Sequence, residues 1–306
     1  MKIALFGGTG FVGSYIIDEL IDSDFSPKVL VRKGSESKLL SDCEIVYGDI
    51  ADEKSIKETI RDTEAIIYNI GIIRELRSKE ITYTKLHYEG VRICVKIAEE
   101  MNVNRFILMS ANGVKPNGTG YQTSKFKAEK ELQSSNLNWT IFRPSLIFGR
   151  PYSQTHKEFC SELRDEILSL PFPAPLFYEG ILPINAGLFS MSPIHAKNVS
   201  EFFVKSLDMK SSIGKIYKIG GLEKLTWKEI IHKISLASNK LTWKVPAPAI
   251  LIKLMAKFFD RFEWFPVTTD QLTMLMEGNI VEEEYFSNFD IEPIEFSVKN
   301  LDYLMK

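Results

Sequence analysis

The sequence is poor in cysteine and histidine, and neither recurs at metal-ligand spacing. Cys43, Cys94 and Cys160 lie far apart, and the four histidines form no H-x-x-x-H pattern. Three scattered cysteines are a poor basis for a disulfide framework and indicate a reducing compartment. We therefore expect no disulfide framework and no structural metal ion.

The chain also lacks an excess of either charge and any long apolar run. Its 38 Lys and Arg against 40 Asp and Glu argue against a general nucleic-acid binder, because such proteins carry a strong basic excess. No apolar run approaches the roughly 20 residues of a membrane span, and the first residues are typical of a strand rather than a signal peptide. We expect a cytoplasmic protein, with peripheral attachment to a membrane as the alternative.

The first 150 residues show a regular alternation of strand and helix patterns. Apolar runs predict strands at 2–6, 28–32, 43–49, 65–71, 105–110 and 138–144, and helical spacing predicts helices at 11–22, 52–60, 80–102 and from Tyr121 onward. Such alternation is typical of an α/β fold with a doubly wound parallel sheet of the Rossmann type.

Beyond Arg150 the alternation becomes irregular and prolines cluster at 171–175. We predict a dinucleotide-binding domain at 1–150 and a smaller, mostly helical substrate or partner domain at 151–306. Residues 188–221 look like a return to the first domain.

The first predicted strand ends in the glycine-rich turn GGTGFVG (7–13), which contains G-x-G-x-x-G. This turn follows a strand and opens a helix, the context that a dinucleotide site requires. Glycine permits the tight turn and the close approach of a pyrophosphate, and the amides at the helix start can bind phosphate. A purely structural turn is the alternative. The predicted contacts are Gly7, Thr9, Gly10, Phe11, Val12 and Gly13.

The end of the second strand bears on the choice of cofactor. Sites that prefer NAD usually carry an acidic residue about 20 residues past the glycines, but here Arg32 and Lys33 stand there, and the nearest acid is Glu36. A guanidinium can make a forked contact with a 2′-phosphate. The sequence therefore favours NADP over NAD; the alternative is that Arg32 stacks on adenine or faces solvent.

Several stretches resemble one known family, the extended and atypical short-chain dehydrogenase/reductases. They are the glycine turn, GDI (48–50), NIG (69–71), Tyr121 with Lys125, and RPSLIFGRP (143–151). Within this superfamily, residues 89–113 and 268–281 resemble the group of the NAD(P)-binding accessory subunit of respiratory complex I. NAD-dependent epimerases and NmrA-like regulators are relatives.

The resemblance implies further cofactor contacts, residue by residue. They are Asp49 and Ile50 for adenine, Asn69 and Gly71 for the adenosine ribose, Lys125 for the nicotinamide ribose, and Pro144 and Ile147 for the nicotinamide ring.

Tyr121 and Lys125 are the candidate proton-transfer pair, because residues four apart share one face of a helix. A free tyrosine has a pKa near 10 and is a poor base, but a neighbouring ammonium would lower that pKa. The tyrosine could then exchange a proton with a substrate hydroxyl while hydride moves. One Y-x-x-x-K is expected by chance in this chain, so the position after the fifth strand carries the prediction.

The family pattern is altered beside this pair. The family's catalytic Ser or Thr slot falls on Ala111, which leaves Ser110 as the third catalytic candidate and Asn112 as a substitute. His87 replaces an asparagine of the family's proton path. It could continue that path, although a lone helical histidine is more often a packing residue.

The predicted helix at 249–262 carries Lys253, Lys257 and Arg261 on one stripe, and Trp264 and Phe265 follow it. It could contact a membrane or a protein complex through 249–265. Alternatively, it is an amphipathic helix that covers its own small domain.

Two functions follow. The sequence favours an NADP-dependent oxidoreductase or epimerase acting on a small carbonyl or hydroxyl compound, with Tyr121 as acid/base. The alternative is a non-catalytic NADPH-binding accessory or assembly subunit of a membrane redox complex. A redox-sensing regulator is a third possibility.

Overall fold

The computed structural model describes residues 1–35, 42–153, 156, 158–169, 173–240, 242–259 and 267–305. Its strands are β1 (Lys2–Phe6), β2 (Ser26–Val31), β3 (Glu44–Tyr47), β4 (Ala65–Tyr68), β5 (Arg105–Met109), β6 (Asn138–Pro144), β7 (Ile147–Phe148), β8 (Ala174–Tyr178), β9 (Ser190–Met191), β10 (Ile194–His195), β11 (Lys215–Ile219), β12 (Leu225–Thr226) and β13 (Lys244–Pro248).

The α-helices are α1 (Phe11–Asp22), α2 (Glu53–Ile60), α3 (Gly90–Glu100), α4 (Gly120–Gln133), α5 (Phe159–Leu163), α6 (Ala196–Asp208), α7 (Trp227–Ala237), α8 (Ala249–Phe259) and α9 (Thr269–Met276). Across the described ranges, no helix combines the length and the apolar character that a membrane crossing requires.

A seven-stranded sheet forms the centre of the molecule, in the order β11-β6-β5-β4-β1-β2-β3, and all six pairings are parallel. Helices cover both faces, so the strands are apolar on both sides, as parallel sheets require. Along β1, Ile3 and Leu5 join one core cluster while Ala4 and Phe6 join the other. The predicted doubly wound Rossmann-type fold is confirmed.

The chain crosses back to this sheet late in the sequence. Strand β11 pairs with β6, residue Ile219 lying beside Pro144, and α6 packs against α1. Phe286 and Phe289 belong to the same core cluster as α1 and α6. Residues near both 200 and 290 therefore help to cover one face of the sheet.

A third core cluster lies beyond the sheet and is built around the buried Trp227. The Trp227 indole N–H donates to the carbonyl of Pro175, 2.9 Å away. Strands β8 and β13 pair in parallel there, with Pro248 beside Tyr178. This unit holds α5, α7 and α9 near the carboxyl edge of the sheet.

The helix predicted at 80–102 differs from expectation, because it begins as a π-helix at Thr84–Glu89 before α3 starts. The Gly90 amide bonds to the carbonyl of Lys85, five residues back. The Leu86 carbonyl, which a regular α-helix would use, instead accepts the Tyr68 hydroxyl at 2.6 Å. A Cβ at position 90 would lie 2.2 Å from that hydroxyl oxygen, so glycine is required there.

Candidate functional site

The predicted cofactor residues lie at one edge of the sheet. Strands β1, β2, β4, β5 and β6 run in parallel and end at this edge, so the residues that follow each strand converge there. In open α/β sheets, ligands bind at the carboxyl ends of the strands. The site can therefore be described from its phosphate end, at the glycine turn, to its nicotinamide end, at α4.

The glycine turn brings the backbone into close contact with the start of α1. Gly7 has a φ of +96°, which favours glycine, and its carbonyl accepts the Gly10 amide at 3.2 Å. A Cβ at Gly13 would lie 2.1 Å from the same carbonyl oxygen, so the start of α1 packs directly on the turn. Backbone geometry therefore requires glycine at positions 7 and 13, whereas a Cβ at Gly10 would lie 3.4 Å from the same oxygen.

The amino end of α1 has no internal partner for its first amides in the part of the chain that is described. No side chain caps Gly10, and the first turn contains no acidic residue. The first bond within the helix is from the Ser14 amide to the Gly10 carbonyl, at 3.1 Å. Free amides at the positive end of a helix dipole are a binding site for phosphate, so the residues present fit a pyrophosphate.

The adenosine side is more open. Arg32 and Asp49 are exposed, and Ile50 is buried. One Asp49 carboxylate oxygen accepts the Ala51 amide at 2.9 Å, which fixes the side chain and leaves its other oxygen available. Glu36 lies outside the described residues. Asn69 and Gly71 lie beyond the end of β4 rather than within the strand predicted at 65–71, and the Asn69 amide donates to the carbonyl of Phe6.

At the nicotinamide end, α4 begins with a capping box formed by Thr119 and Gln122. Lys125 is buried, and its ammonium donates to the carbonyls of Met109, at 2.8 Å, and Ile70, at 3.4 Å. Burial lowers the pKa of Lys125 to about 8, although Glu129 opposes that shift. Lys125 thus links the segment that follows β4 to the last residue of β5.

Tyr121 lies on the same face of α4 as Lys125, as the i, i+4 spacing predicts. Burial raises the pKa of Tyr121 to about 12. Its ring meets the His87 ring edge to face, with centroids 5.2 Å apart, and the Tyr83 ring at 5.8 Å. Burial thus moves the pKa of the phenol away from neutral pH, whereas an effective general base has a pKa close to the working pH.

Both ring nitrogens of His87 already have partners. Nε2 accepts the Ile72 amide at 3.1 Å, so the proton resides on Nδ1, which donates to Ser124 Oγ at 2.9 Å. Ser124 in turn donates to the Tyr121 carbonyl. Burial, and then the charge of Lys125, hold the pKa of His87 well below its usual range. His87 is therefore a neutral link between the segment after β4 and α4.

Ser110 follows β5, but its hydroxyl is directed to a buried carboxylate. It donates to Glu129, which is fully buried and also bonds to Arg143 at 2.8 and 2.5 Å. Ala111 comes next. The Asn112 side-chain amide donates to Asn279 Oδ1 at 2.8 Å and to the carbonyl of Ile280 at 2.9 Å.

The segment at 268–281 closes one side of the site, which sequence reasoning did not anticipate. Asp270 accepts the Gly120 amide at 3.1 Å. Glu277 accepts from Gln122 at 2.8 Å and from Lys115 at 2.6 Å. The one signal in the sequence was the resemblance of 268–281 to one family group. The remaining predicted contacts flank this region, with Pro144 at the end of β6 and Ile147 at the start of β7.

Comparison with known proteins agrees with this geometry. A family model described as NAD(P)H-binding matches residues 7–159. The photosystem II assembly factor Ycf39 of Trieres chinensis is 22% identical over 95% of this chain and 86% of its own length. The 40 kDa subunit of Neurospora crassa mitochondrial NADH-ubiquinone oxidoreductase is 22% identical over 98% of this chain and 78% of its own. The UDP-glucose 4-epimerase of Vibrio cholerae is 24% identical over 91% and 87%.

Solved structures show the same fold. An epimerase of Methanothermobacter thermautotrophicus superposes with a TM-score of 0.74 at 15% identity, over 99% of this chain and 91% of its own. The Thermus thermophilus UDP-glucose 4-epimerase, in complex with NAD, superposes with a TM-score of 0.66 at 18% identity, over 90% and 98%.

Proposed function

This chain belongs to the NAD(P)H-binding family, of the extended short-chain dehydrogenase/reductase type, and on that premise we propose that it holds its dinucleotide without turnover. Its role is then that of an accessory or assembly subunit of a membrane redox complex. The glycine turn and the open amides of α1 support binding. When bound, the nicotinamide ring would supply a hydride acceptor or donor, and the question is whether the protein uses it.

The observation that carries this proposal is the orientation of Ser110. A carbonyl reductase of this type needs a hydroxyl to polarise the substrate oxygen, but Ser110 donates to the buried Glu129 and the next residue is Ala111. The second serine near the pair, Ser124, donates to the Tyr121 carbonyl. Both hydroxyls therefore have protein acceptors.

The proton path supports the same conclusion. His87 uses both ring nitrogens for structural hydrogen bonds, and burial raises the pKa of the Tyr121 phenol to about 12, further from neutral pH than its ordinary value of 10. Two of the relatives also carry names that place them with membrane complexes, one as a subunit of NADH-ubiquinone oxidoreductase and one as a photosystem II assembly factor.

A second candidate is an NADP-dependent oxidoreductase or epimerase on a small carbonyl or hydroxyl compound. The presence of Tyr121 and Lys125 on one face of α4 favours it, as does the similarity to a UDP-glucose 4-epimerase. In that case the Tyr121 hydroxyl would exchange a proton with the substrate, and Lys125 would lower its pKa once a ligand replaced the present carbonyl contacts.

NADP is the cofactor that we propose for either function. Arg32 is exposed at the end of β2, where it is free to meet a 2′-phosphate.

Tightness of binding and turnover separate the two functions. We would denature purified protein and measure released dinucleotide, then mix the loaded protein with carbonyl compounds and with UDP-glucose. We expect near-stoichiometric dinucleotide, no oxidation or epimerisation, and unchanged retention in Tyr121→Phe. Turnover that Tyr121→Phe abolishes, with binding intact, would overturn the non-catalytic proposal.

A further inference from the structure

Helix α8 exposes the apolar side chains that a helix normally buries. Ala249 and Ala256 are fully buried, and Ile252 packs on the third core cluster. These three positions form a narrow face of mostly small residues. The larger apolar side chains lie in solvent, with exposed fractions as follows: Ile250 78%, Leu251 51%, Leu254 55%, Met255 41% and Phe258 63%.

Spacing places these exposed residues together, because positions 250, 254 and 258 follow one another at four-residue steps. If this helix only covers its own domain, that role explains the burial of Ala249, Ile252 and Ala256. It does not explain the exposure of the larger apolar side chains on the other face. A helix with a basic stripe beside a large exposed apolar face is typical of a helix that lies in a membrane interface. Arg261, Phe262, Trp264 and Phe265 lie outside the described residues.

A second apolar segment lies beside α8. Strands β8 and β13 pair in parallel with Pro248 beside Tyr178, so the chain leaves both strands at the same end. One exit leads into α8 and the other into residues 179–188. Lys253 of α8 and Glu179 form an ion pair of 3.2 Å that joins the two exits. The second segment exposes 95% of Ile181, 62% of Leu182 and 82% of Ile184.

The shape and charge of this surface indicate its occupant. Side chains exposed to this degree protrude from the surface. Protruding apolar side chains can insert among the acyl chains of a lipid bilayer. Among the described residues, 240–259 carry four basic residues, Lys240, Lys244, Lys253 and Lys257, and no acidic one, while the second segment adds one acid, Glu179, which pairs with Lys253. This local excess of positive charge occurs in a chain whose net charge is −2, and it complements an anionic surface.

We infer that α8 and residues 179–188 form a membrane-docking surface that inserts its apolar side chains into the interface of an anionic bilayer. Interfacial helices bind through buried apolar area together with attraction between basic residues and anionic lipids. The inference goes beyond the proposed function, since it requires no bound dinucleotide and no particular chemistry at α4.

Vesicle flotation of the full-length chain tests this inference. The vesicles are pure phosphatidylcholine or an equal mixture of phosphatidylcholine and phosphatidylglycerol. We expect binding to the anionic vesicles at least about tenfold stronger than to the neutral ones, since each basic residue near an anionic surface adds about 1 kcal/mol. High salt should weaken binding to the anionic vesicles.

The double variant Leu254→Glu with Phe258→Glu should lower partitioning onto anionic vesicles at least about tenfold. Leu222→Glu is the matched control, because Leu222 is an exposed leucine of similar exposure, 59%, outside this surface. It should float as the unsubstituted protein does. Dinucleotide binding, measured in parallel, shows that each variant is folded and separates failure here from failure of the proposed function.

Three results would overturn the inference. The first is no flotation with anionic vesicles, and the second is equal flotation of the unsubstituted protein and the double variant. The third is a concentration-dependent dimer in sedimentation that the double variant disperses, with no vesicle binding, because the occupant would then be a second copy of the chain.

Discussion

The two ends of the cofactor site differ in what their polar groups do. At the phosphate end, the first amides of α1 have no side-chain cap and Arg32 is exposed. At the nicotinamide end, the polar groups of Lys125, His87 and Ser110 already bind other parts of the protein. The difference teaches that polar groups are available where we propose that a dinucleotide binds, and that they already have protein partners where a substrate would react.

The largest effect on the open end should come from Gly13→Ala. The new Cβ would lie 2.1 Å from the Gly7 carbonyl oxygen, so we expect no measurable dinucleotide binding and a free energy of unfolding lower by about 1–3 kcal/mol. Calorimetry and thermal unfolding measure both quantities. Gly10→Ala sharpens the test, because its Cβ would lie 3.4 Å from the same oxygen and its φ is −92°. It should fold normally and still bind more weakly. Normal binding by Gly13→Ala would refute the role of the turn.

A smaller and more selective effect is expected from Arg32→Ala. Charge-assisted hydrogen bonds contribute about 1.5–3 kcal/mol, so affinity for NADPH should fall about tenfold to a hundredfold while affinity for NADH changes little. Arg61→Ala, which removes an exposed arginine at the carboxyl end of α2, serves as the control. Equal losses for both dinucleotides would rule out the preference for NADP.

The closed end should respond to pH through Lys125. Its pKa of about 8 lies below the ordinary value of 10.5, so the ammonium loses its proton as pH rises through 8. If the ammonium contacts the bound ribose, affinity should fall about tenfold for each pH unit above that value, until the pKa of the complex is reached. Lys125→Arg stays charged and should show a flat profile. Parallel profiles for both proteins would contradict a contact between Lys125 and the cofactor.

The smallest effect on binding is expected from Ser110→Ala. It removes one donor to the buried Glu129 and should lower the free energy of unfolding by about 1–3 kcal/mol, with cofactor affinity unchanged. Ser134→Ala, at the exposed end of α4, is the control in thermal unfolding. A loss of turnover at unchanged stability would instead assign Ser110 to catalysis. The polar groups at both ends of the site would then serve a ligand.

The fold was predictable from local patterns. Strand β1, helix α1 and strand β6 begin and end where the sequence places them, because each has a strong apolar pattern and clear turn residues at its ends. The strand predicted at 65–71 stops at Tyr68, since Asn69 to Gly71 leave the sheet toward the site. The sequence also indicated the return of 188–221, where β11 and α6 lie.

The site was predictable only in part. Motif spacing gave the residues of the glycine turn, but it could not give the partners of His87 or Ser110, because these are long-range contacts to Ile72 and Glu129. The sequence could not predict either that the larger apolar side chains of α8 are exposed. The helical pattern of apolar residues is the same whether a face packs inward or outward, and only the small residues Ala249 and Ala256 mark the inward side.

The π-helix at Thr84–Glu89 has a consequence for how the chain tolerates length changes. It fits one residue more than regular α-helical geometry would, so residues upstream are rotated by about 100° relative to those of α3. Deleting a single residue there would restore ordinary winding and swing the His87 ring off the Ile72 amide. Loss of one residue in this segment should therefore break the contacts by which His87 links the segment after β4 to α4, while the central sheet stays folded.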